Sequence, residues 1–593
     1  MYNIRILLTE RRLYDMFIND VVKRTGLTKK AIRFYEDKGL LSVQRQINGY
    51  RSYSEDNVLT LKKIKMLRSC GVSVSDIKLL FGNMITVEEL LIKRKKEVEN
   101  EYGNYSSMFE DILDIFQNYE KEQYDLDLQF DETTYNSFMP SDTLILGIDI
   151  GTTSISAAII DIENKTNIET YTLDNAADIK SSNPCFKEQN SMIIYDKVIK
   201  LVELIVTGYP AIKAIGVTGQ MHGIVYIDKK GDAVSPLVTW QDKRADEMLE
   251  NGCTYCEKIF EVTNKRIYTG FGFATHYYNL LNQLVPSDAY SFCSIMDYVV
   301  MKLTNQNRPL IHASVAASFG LFDTKTLSFD KESISKLGMD NIALPNVTDE
   351  FFVAGNYKNI PVAVAIGDNQ ASFIGAVGNL DETVLVNIGT GSQISFMSDF
   401  CVTDDRLELR PLFKDKYILC GSALCGGASY ALLESFFRSY IQASNSDNSL
   451  QYDTLNKLAY DAYKQNKKPL TVNTLFAGKR SDPNMQGSIL NITRENFTPG
   501  QLALGFINGI CKELYDFMPK NTEKKLIVAS GNAVRKIPIM KQVIEDMFGL
   551  PVQVSYNKEE ASVGAALFSA IAANFVKNIY EASEFISYRE DIK

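Results

Sequence analysis

The sequence predicts a multidomain chain: a small basic helical head, one long charged helix, and a large α/β body. Three observations carry that expectation. Charge is segregated, with 16 lysines and arginines against 8 acids between residues 1 and 80, a balance of +8 in a chain whose net charge is −10. Hydrophobic spacing is helical up to about residue 122, whereas from Thr143 apolar strand-like runs alternate with helical segments. Four small-residue turns each end an apolar run: Gly151-Thr152-Thr153-Ser154, Gly367-Asp368-Asn369, Asn387-Ile388-Gly389-Thr390-Gly391 and Ala529-Ser530-Gly531-Asn532-Ala533.

A length of 593 residues exceeds what one core supports, so three or more domains are expected. No apolar run reaches the length of a membrane span and no signal-peptide core is present. Nine scattered cysteines fit reduced thiols and a cytoplasmic location. Cys253 and Cys256 form the only close pair, and with three histidines in all they do not suggest a metal or redox centre. A basic head on an acidic body points to nucleic acid as the partner of the head alone.

In the head, Ile18–Arg24 has helical spacing, Gly26 breaks it, and Thr28 can cap a second helix running through Lys38. Lys29, Lys30 and Arg33 lie on that second helix, where a major-groove reader carries its cations. Asn48-Gly49-Tyr50-Arg51-Ser52-Tyr53 reads as a hairpin tip, Ser54 caps a further helix, and a fourth begins near Ser75. INDVVKRTGLTKKAIRFYEDKGLL, NGYRSYSEDN and LKKIKMLRSCGVSVSDIKLLF together resemble the winged helix-turn-helix of the MerR family, over Phe17–Phe81. The resemblance implies that Thr28, Lys29, Lys30, Arg33 and Tyr35 face double-stranded promoter DNA, with Arg51 and Tyr53 in the wing against phosphates. That pattern normally begins at Met16-Phe17-Ile18, so Met1–Asp15 is expected to be disordered or untranslated; N-terminal mass analysis starting at Met1, together with ordered density there, would refute this.

From Val87 to about Glu122, Tyr105, Met108, Phe109, Ile112, Phe116 and Tyr119 recur at three- and four-residue steps and form an apolar stripe. MerR-like proteins use this element as an antiparallel coiled coil, which implies a homodimer through residues 85–123. Packing of the helix back onto its own chain is the alternative. Residues 124–142, acidic and ending in Met-Pro-Ser-Asp, read as a linker.

The body opens with Leu144–Asp161: an apolar run into Asp149, a Gly-Thr-Thr-Ser turn, and a second apolar run. Glycine lets a backbone approach a phosphate, hydroxyls and amides donate to it, and a carboxylate can hold Mg²⁺. Ala214–Thr218 is a strand ending in Gly219-Gln220-Met221-His222-Gly223, and Trp240-Gln241-Asp242-Lys243-Arg244 follows a later one. The chain's only tryptophan suits the C–H face of a sugar, and the amides and carboxylates suit its hydroxyls. His222 alone would more often be a packed histidine, but its place at a strand end beside this polar cluster favours a ligand role.

These turns and clusters together resemble the FGGY carbohydrate kinases of the actin/hexokinase-like superfamily, from Leu144 to about Ala573. GQMHG, LVTWQDKR, GFGFATHYYNL, FAGKRSDPN with NITRENFTPG, and ASGNAVRK look like its sedoheptulokinase branch. The fold class implied is a winged helix-turn-helix head with a coiled-coil dimerisation helix, then a two-lobed ribonuclease H-like kinase body. Its domains would be 16–84, the helix 85–123, the linker 124–142, an N-terminal lobe 143–383 and a C-terminal lobe 384–593. Asp368 corresponds to the catalytic carboxylate. Asp149 would hold Mg²⁺, with Asp368 the second metal-site carboxylate. Thr152, Thr153 and Ser154 would meet the β- and γ-phosphates of ATP, and Gly389, Thr390 and Gly391 form a second phosphate loop. Gly427, Gly531 and Asn532 would border the adenine nucleotide, while Gln220, Met221, His222, Trp240, Asp242 and Asn369 line the sugar. Departures are Ser156 where glycerol kinases have arginine, Lys479 in place of a common glutamate, and Thr275-His276 for Thr-Lys. The implied activity is ATP-dependent phosphorylation of the terminal hydroxyl of a ketose, sedoheptulose above others, in a protein that also regulates transcription. The alternatives are a catalytically weak sugar sensor and a xylulose or ribulose kinase.

Overall fold

The computed structural model describes residues 16–45, 49–102, 140–400, 406–445, 449–465, 470–479, 482, 484–519, 523–557 and 559–588. They fall into two compact units, a head and a body.

In the head, Met16 pairs with Tyr53 through two backbone hydrogen bonds of 3.1 and 3.0 Å, which tie it to the wing. Helix Ile18–Thr25 ends at Gly26, whose φ of 68° is the left-handed geometry of a helix C-cap. Helix Lys29–Asp37 begins at Thr28, whose hydroxyl accepts from the Ala31 amide at 3.2 Å. The wing is the two-stranded ribbon Gln44–Arg45 with Arg51–Ser52. Ser54 and Ser73 cap the helices Glu55–Ser69 and Val74–Phe81. Val21, Ala31, Ile32, Tyr35, Tyr53, Leu61, Ile64 and Ile77 fill one core. A last helix runs Val87–Tyr102. The apolar stripe from Tyr105 to Tyr119, the residues before Met16 and the wing's Asn48 lie outside the described residues.

The body holds two large sheets of matching design. The first is a meander of Leu144–Ile150, Ser154–Asp161 and Thr166–Asp174, extended beside its first strand by the parallel strands Ile212–Gly219 and Ile360–Ala363. Ile366–Gly367 also pairs with Ile212–Gly219. The second is an antiparallel set in the order Glu408–Phe413, Lys416–Ala423, Ser392–Ser398 and Thr383–Ile388, extended by the parallel strands Leu526–Ser530 and Val552–Val554.

Helices Asp368–Ala376 and Glu560–Ala572 share one apolar core with both sheets, in which Ile145, Phe373, Ile374, Ile418, Val528, Val563 and Phe568 are buried. The two helices cross at backbone contact. A Cβ on Gly564 would overlap the Ala371 carbonyl, and one on Gly375 would overlap that of Glu560. The helix Glu560–Ala572, with the small residues Gly564-Ala565-Ala566, packs closely on the sheet at Gly147 and Gly216, and Gly564 also seats the second helix.

Candidate active site and nucleic-acid interface

Parallel pairing sets three strand ends side by side. Asp149 is in register with Thr218, and Gly367 with Gly219. The ends of Leu144–Ile150, Ile212–Gly219 and Ile366–Gly367 therefore present Asp149, Gln220-Met221-His222 and Asp368-Asn369 along one edge, where open α/β sheets place their ligands. Asp368 starts its helix and accepts from the Asn369 amide at 2.6 Å. Desolvation, and then the neighbouring Asp368 and Glu559 carboxylates, push Asp149 up to about 7. Asp368 is also raised by desolvation, against which the Arg410 guanidinium acts. Arg410 is buried, paired with Glu408 at 2.6 Å. Sequence reasoning passed over it, since a lone arginine in a strand carries no pattern.

Two neighbouring desolvated carboxylates, one of them raising the other's proton affinity, fit a divalent cation. Among the described residues no cluster of three or more acidic, histidine or cysteine side chains offers a cage. Mg²⁺ needs none, because it takes one or two carboxylates and leaves its other positions to water and phosphate.

The turn after Asp149 is held from behind. Gly151, Thr152 and Thr153 each have a carbonyl that accepts a hydrogen bond of 2.8 Å: from Asn175 Nδ2, Gln189 Nε2 and the Asn175 amide respectively. Thr153 is exposed, and Ser154 opens the returning strand. Thr152 departs from expectation. Its hydroxyl donates to Gln220 Oε1 at 3.3 Å and accepts from Trp240 Nε1 at 3.0 Å, so its one proton is directed at Gln220 rather than outward.

Across from the turn, Trp240 is 45% exposed and leaves a large apolar face open. His222 has a φ of 70°, a left-handed backbone rare for histidine. Its Nδ1 lies 2.8 Å from the Ser318 carbonyl and its ring stacks on Phe271 at 4.3 Å. Hydrogen bonding to a carbonyl places the proton on Nδ1 and leaves Nε2 as the acceptor of the neutral ring. Met221 and Gln220 are buried. Asn369 donates through Nδ2 to Gln393 and Ser395 at 3.1 and 3.0 Å, while its buried Oδ1 has no partner among the described residues.

Asp242 corrects its assignment as a sugar contact. It is 1% exposed, and its oxygens accept from Arg244 and from the Lys187 amide, making it the anchor of a buried Arg244–Glu188–Asp242 network. His276 is likewise a core residue, its Nδ1 2.8 Å from the Tyr226 hydroxyl and its pKa lowered to about 4 by desolvation.

Three further turns converge on the second sheet. Gly427 and Ala428 at the start of helix Gly427–Asn445 donate to the Gly389 and Thr390 carbonyls at 2.8 and 3.0 Å. Asn387 is in register with Ser530, which brings Gly531 beside Ile388. Gly531 has a φ of 91°, and any side chain there would run into the Ile388 backbone. Thr390 and Asn532 are exposed at this junction.

On the head, Thr28, Lys29, Lys30 and Arg33 are exposed along one helix face. Arg51 pairs with Glu36 at 2.7 Å. Tyr35 and Tyr53 are corrections: at 0% and 1% exposure they belong to the head core and do not face DNA. Tyr35 sits four residues after Ala31 and three after Ile32, on the inward side of a helix whose outward side carries the cations.

A model of the MerR HTH family regulatory protein matches residues 16–83. Models of the N- and C-terminal domains of the FGGY family of carbohydrate kinases match residues 144–379 and 384–573. Sedoheptulokinase of Mus musculus is 27% identical over 480 residues, 72% of this chain and 98% of that protein. The structure of ligand-bound xylulose kinase from Lactobacillus acidophilus superposes with a TM-score of 0.65 at 21% identity, over 76% of this chain and 93% of that one. Plasmodium falciparum glycerol kinase with ADP superposes with a TM-score of 0.61 at 19% identity, over 75% and 93%.

Proposed function

Since the chain belongs to the FGGY family of carbohydrate kinases and carries a MerR-type helix-turn-helix domain ahead of the kinase, we propose that it is a DNA-binding transcriptional regulator with a working ketose kinase as its sensor. The substrate is sedoheptulose, and the product sedoheptulose 7-phosphate. One observation carries the catalytic reading: Asp149 and Asp368 lie desolvated at neighbouring strand ends, beside a turn whose carbonyls are all held from behind.

In this reading Asp368 accepts the proton of the sugar's primary hydroxyl. That oxygen bonds to the γ-phosphorus as the bond to the bridging oxygen of ADP breaks. Thr153 and Ser154 with the turn amides hold the transferring phosphate, and Gly389–Gly391 the outgoing diphosphate. Gly427, Gly531 and Asn532 border the nucleotide. Mg²⁺ held by Asp149 and Asp368 would supply charge neutralisation on the phosphates. Trp240 covers one face of the sugar while His222 Nε2, Gln220, Met221 and Asn369 Oδ1 meet its hydroxyls and edges. Thr28, Lys29, Lys30, Arg33 and Arg51 contact promoter DNA. Residues 85–123 pair two chains into a homodimer in the cytoplasm.

The deciding experiment is coupled ADP release over a panel of ketoses and polyols, with Asp368→Asn alongside. Turnover on sedoheptulose that falls by about 10³-fold or more in the variant is the expected result. Turnover on xylulose or ribulose alone reassigns the substrate. If a sugar raises the melting temperature with no turnover on any of them, the domain is a sensor without chemistry.

A further inference from the structure

Behind the Gly151–Ser154 turn lies a closed hydrogen-bond circuit. Gln189 donates to the Thr152 carbonyl and to Asp178 Oδ1, both at 2.8 Å. Both partners are acceptors only, so its Oε1 must face the other way, where it accepts from Gln220 Nε2 at 2.9 Å. Gln220 then presents its own Oε1 to Thr152, which takes the Thr152 hydroxyl proton and leaves that oxygen to accept from the Trp240 indole. Every donor direction in the ring follows from the first. Gln189 and Gln220 are 1% and 3% exposed, so water does not compete for these bonds.

Asn175, 0% exposed, completes the clamp with two bonds to the same turn, and Lys197 Nζ holds the Asn175 carbonyl at 2.7 Å. Because a trans peptide sets its N–H opposite the preceding C=O, carbonyls pinned on one side turn the Thr152 and Thr153 amides to the other. Gln189 comes from the two-residue strand Glu188–Gln189, which pairs with Leu237–Val238, the strand that leads into Trp240.

We propose that Gln189 and Asn175 are positioning residues for phosphoryl transfer: they aim the amides of the phosphate turn, and Gln189 connects that turn through Gln220 and Thr152 to Trp240, so that a sugar seated on the tryptophan raises nucleotide affinity. This rests on reading Gly151–Ser154 as the phosphate turn and Trp240 as the sugar platform. Neither residue touches substrate. Both act through the turn.

The test is calorimetric titration of Mg·ADP into the full chain, with and without sedoheptulose, for wild type and for Gln189→Glu. Glutamate keeps the size and the acceptor half of the circuit but cannot donate to the Thr152 carbonyl. The variant is expected to bind ADP about tenfold more weakly or worse, to lose any enhancement by sugar, and to bind sugar alone within about twofold of wild type. In turnover the same change raises KM for ATP while sugar binding in the absence of nucleotide stays in place, a split that general loosening of the fold does not produce. Trp240→Phe, which removes the indole N–H together with the five-membered part of the ring, should likewise abolish the enhancement at a sugar concentration that saturates the variant, and it serves if Gln189→Glu fails to fold. ADP affinity within twofold of wild type in Gln189→Glu, or sugar enhancement intact in Trp240→Phe, overturns the inference. Binding needs no chemistry, so a wild-type protein that binds ADP but phosphorylates nothing defeats the kinase reading while this comparison still decides the clamp.

Discussion

Asp149 is a partly buried carboxylate raised to about 7 by desolvation, then by Asp368 and Glu559. Nothing cationic bonds to it among the described residues, which is how a metal position differs from an ion pair. Asp149→Asn should therefore raise the Mg²⁺ concentration for half-maximal turnover by about tenfold or more, read from a magnesium titration of the kinase assay. On the head, exposure separates two kinds of change. Arg33→Ala should weaken promoter binding while leaving the melting temperature in place, and lower the salt slope of binding by about 1 if Arg33 meets a phosphate. Tyr35→Ala should instead unfold the head, costing about 3 kcal/mol or more, because the ring lies wholly inside it. Gel shift and thermal melting of the same preparations distinguish the two.

At the element scale the body shows close backbone approach at particular glycines. Helix Glu560–Ala572 meets both the first sheet and helix Asp368–Ala376, with Gly564 against the Ala371 carbonyl. Since Asp368 begins the second of these helices, their spacing sets the position of the carboxylate. Gly564→Val should cost about 2 kcal/mol or more by forcing the helices apart. Turnover should fall further than stability alone accounts for, and denaturant melts beside kcat measurements check it. The wing shows the opposite design: two residues per strand and, among the described residues, the Arg51–Glu36 ion pair to helix Lys29–Asp37. Arg51 thus has a structural partner as well as a proposed phosphate contact.

At the scale of the whole molecule, one chain carries a DNA-reading head and a sugar kinase, and the useful question is whether their ligands are linked. If sugar and nucleotide bias a conformation that the DNA also distinguishes, the effect must be reciprocal. Sedoheptulose with a non-hydrolysable ATP analogue should then change affinity for DNA upstream of the gene by about fivefold or more, measured by fluorescence anisotropy at fixed salt. Unchanged affinity and unchanged promoter output would separate the two activities. Among the described residues no helix is long and apolar enough to cross a membrane.

The sequence alone determined the domain order, the helix starts of the head, the four small-residue turns and the acidic pair. Each is a local signal: a capping hydroxyl at Thr28, a glycine with positive φ at Gly26, an apolar run that stops at a carboxylate at Asp149. Only the tertiary structure decided which polar groups look outward. Asp242, Tyr35 and Tyr53 read as ligand contacts from their motifs, yet each is buried by partners distant in the chain, such as Lys187 for Asp242 and Met16 for Tyr53. Gln189 and Asn175 were invisible for the same reason. A glutamine between Glu188 and Asn190 carries no pattern, and its role exists only because strand pairing brings it under a turn 37 residues earlier. Motifs fix what a residue can donate or accept; the fold decides what stands within 3 Å of it.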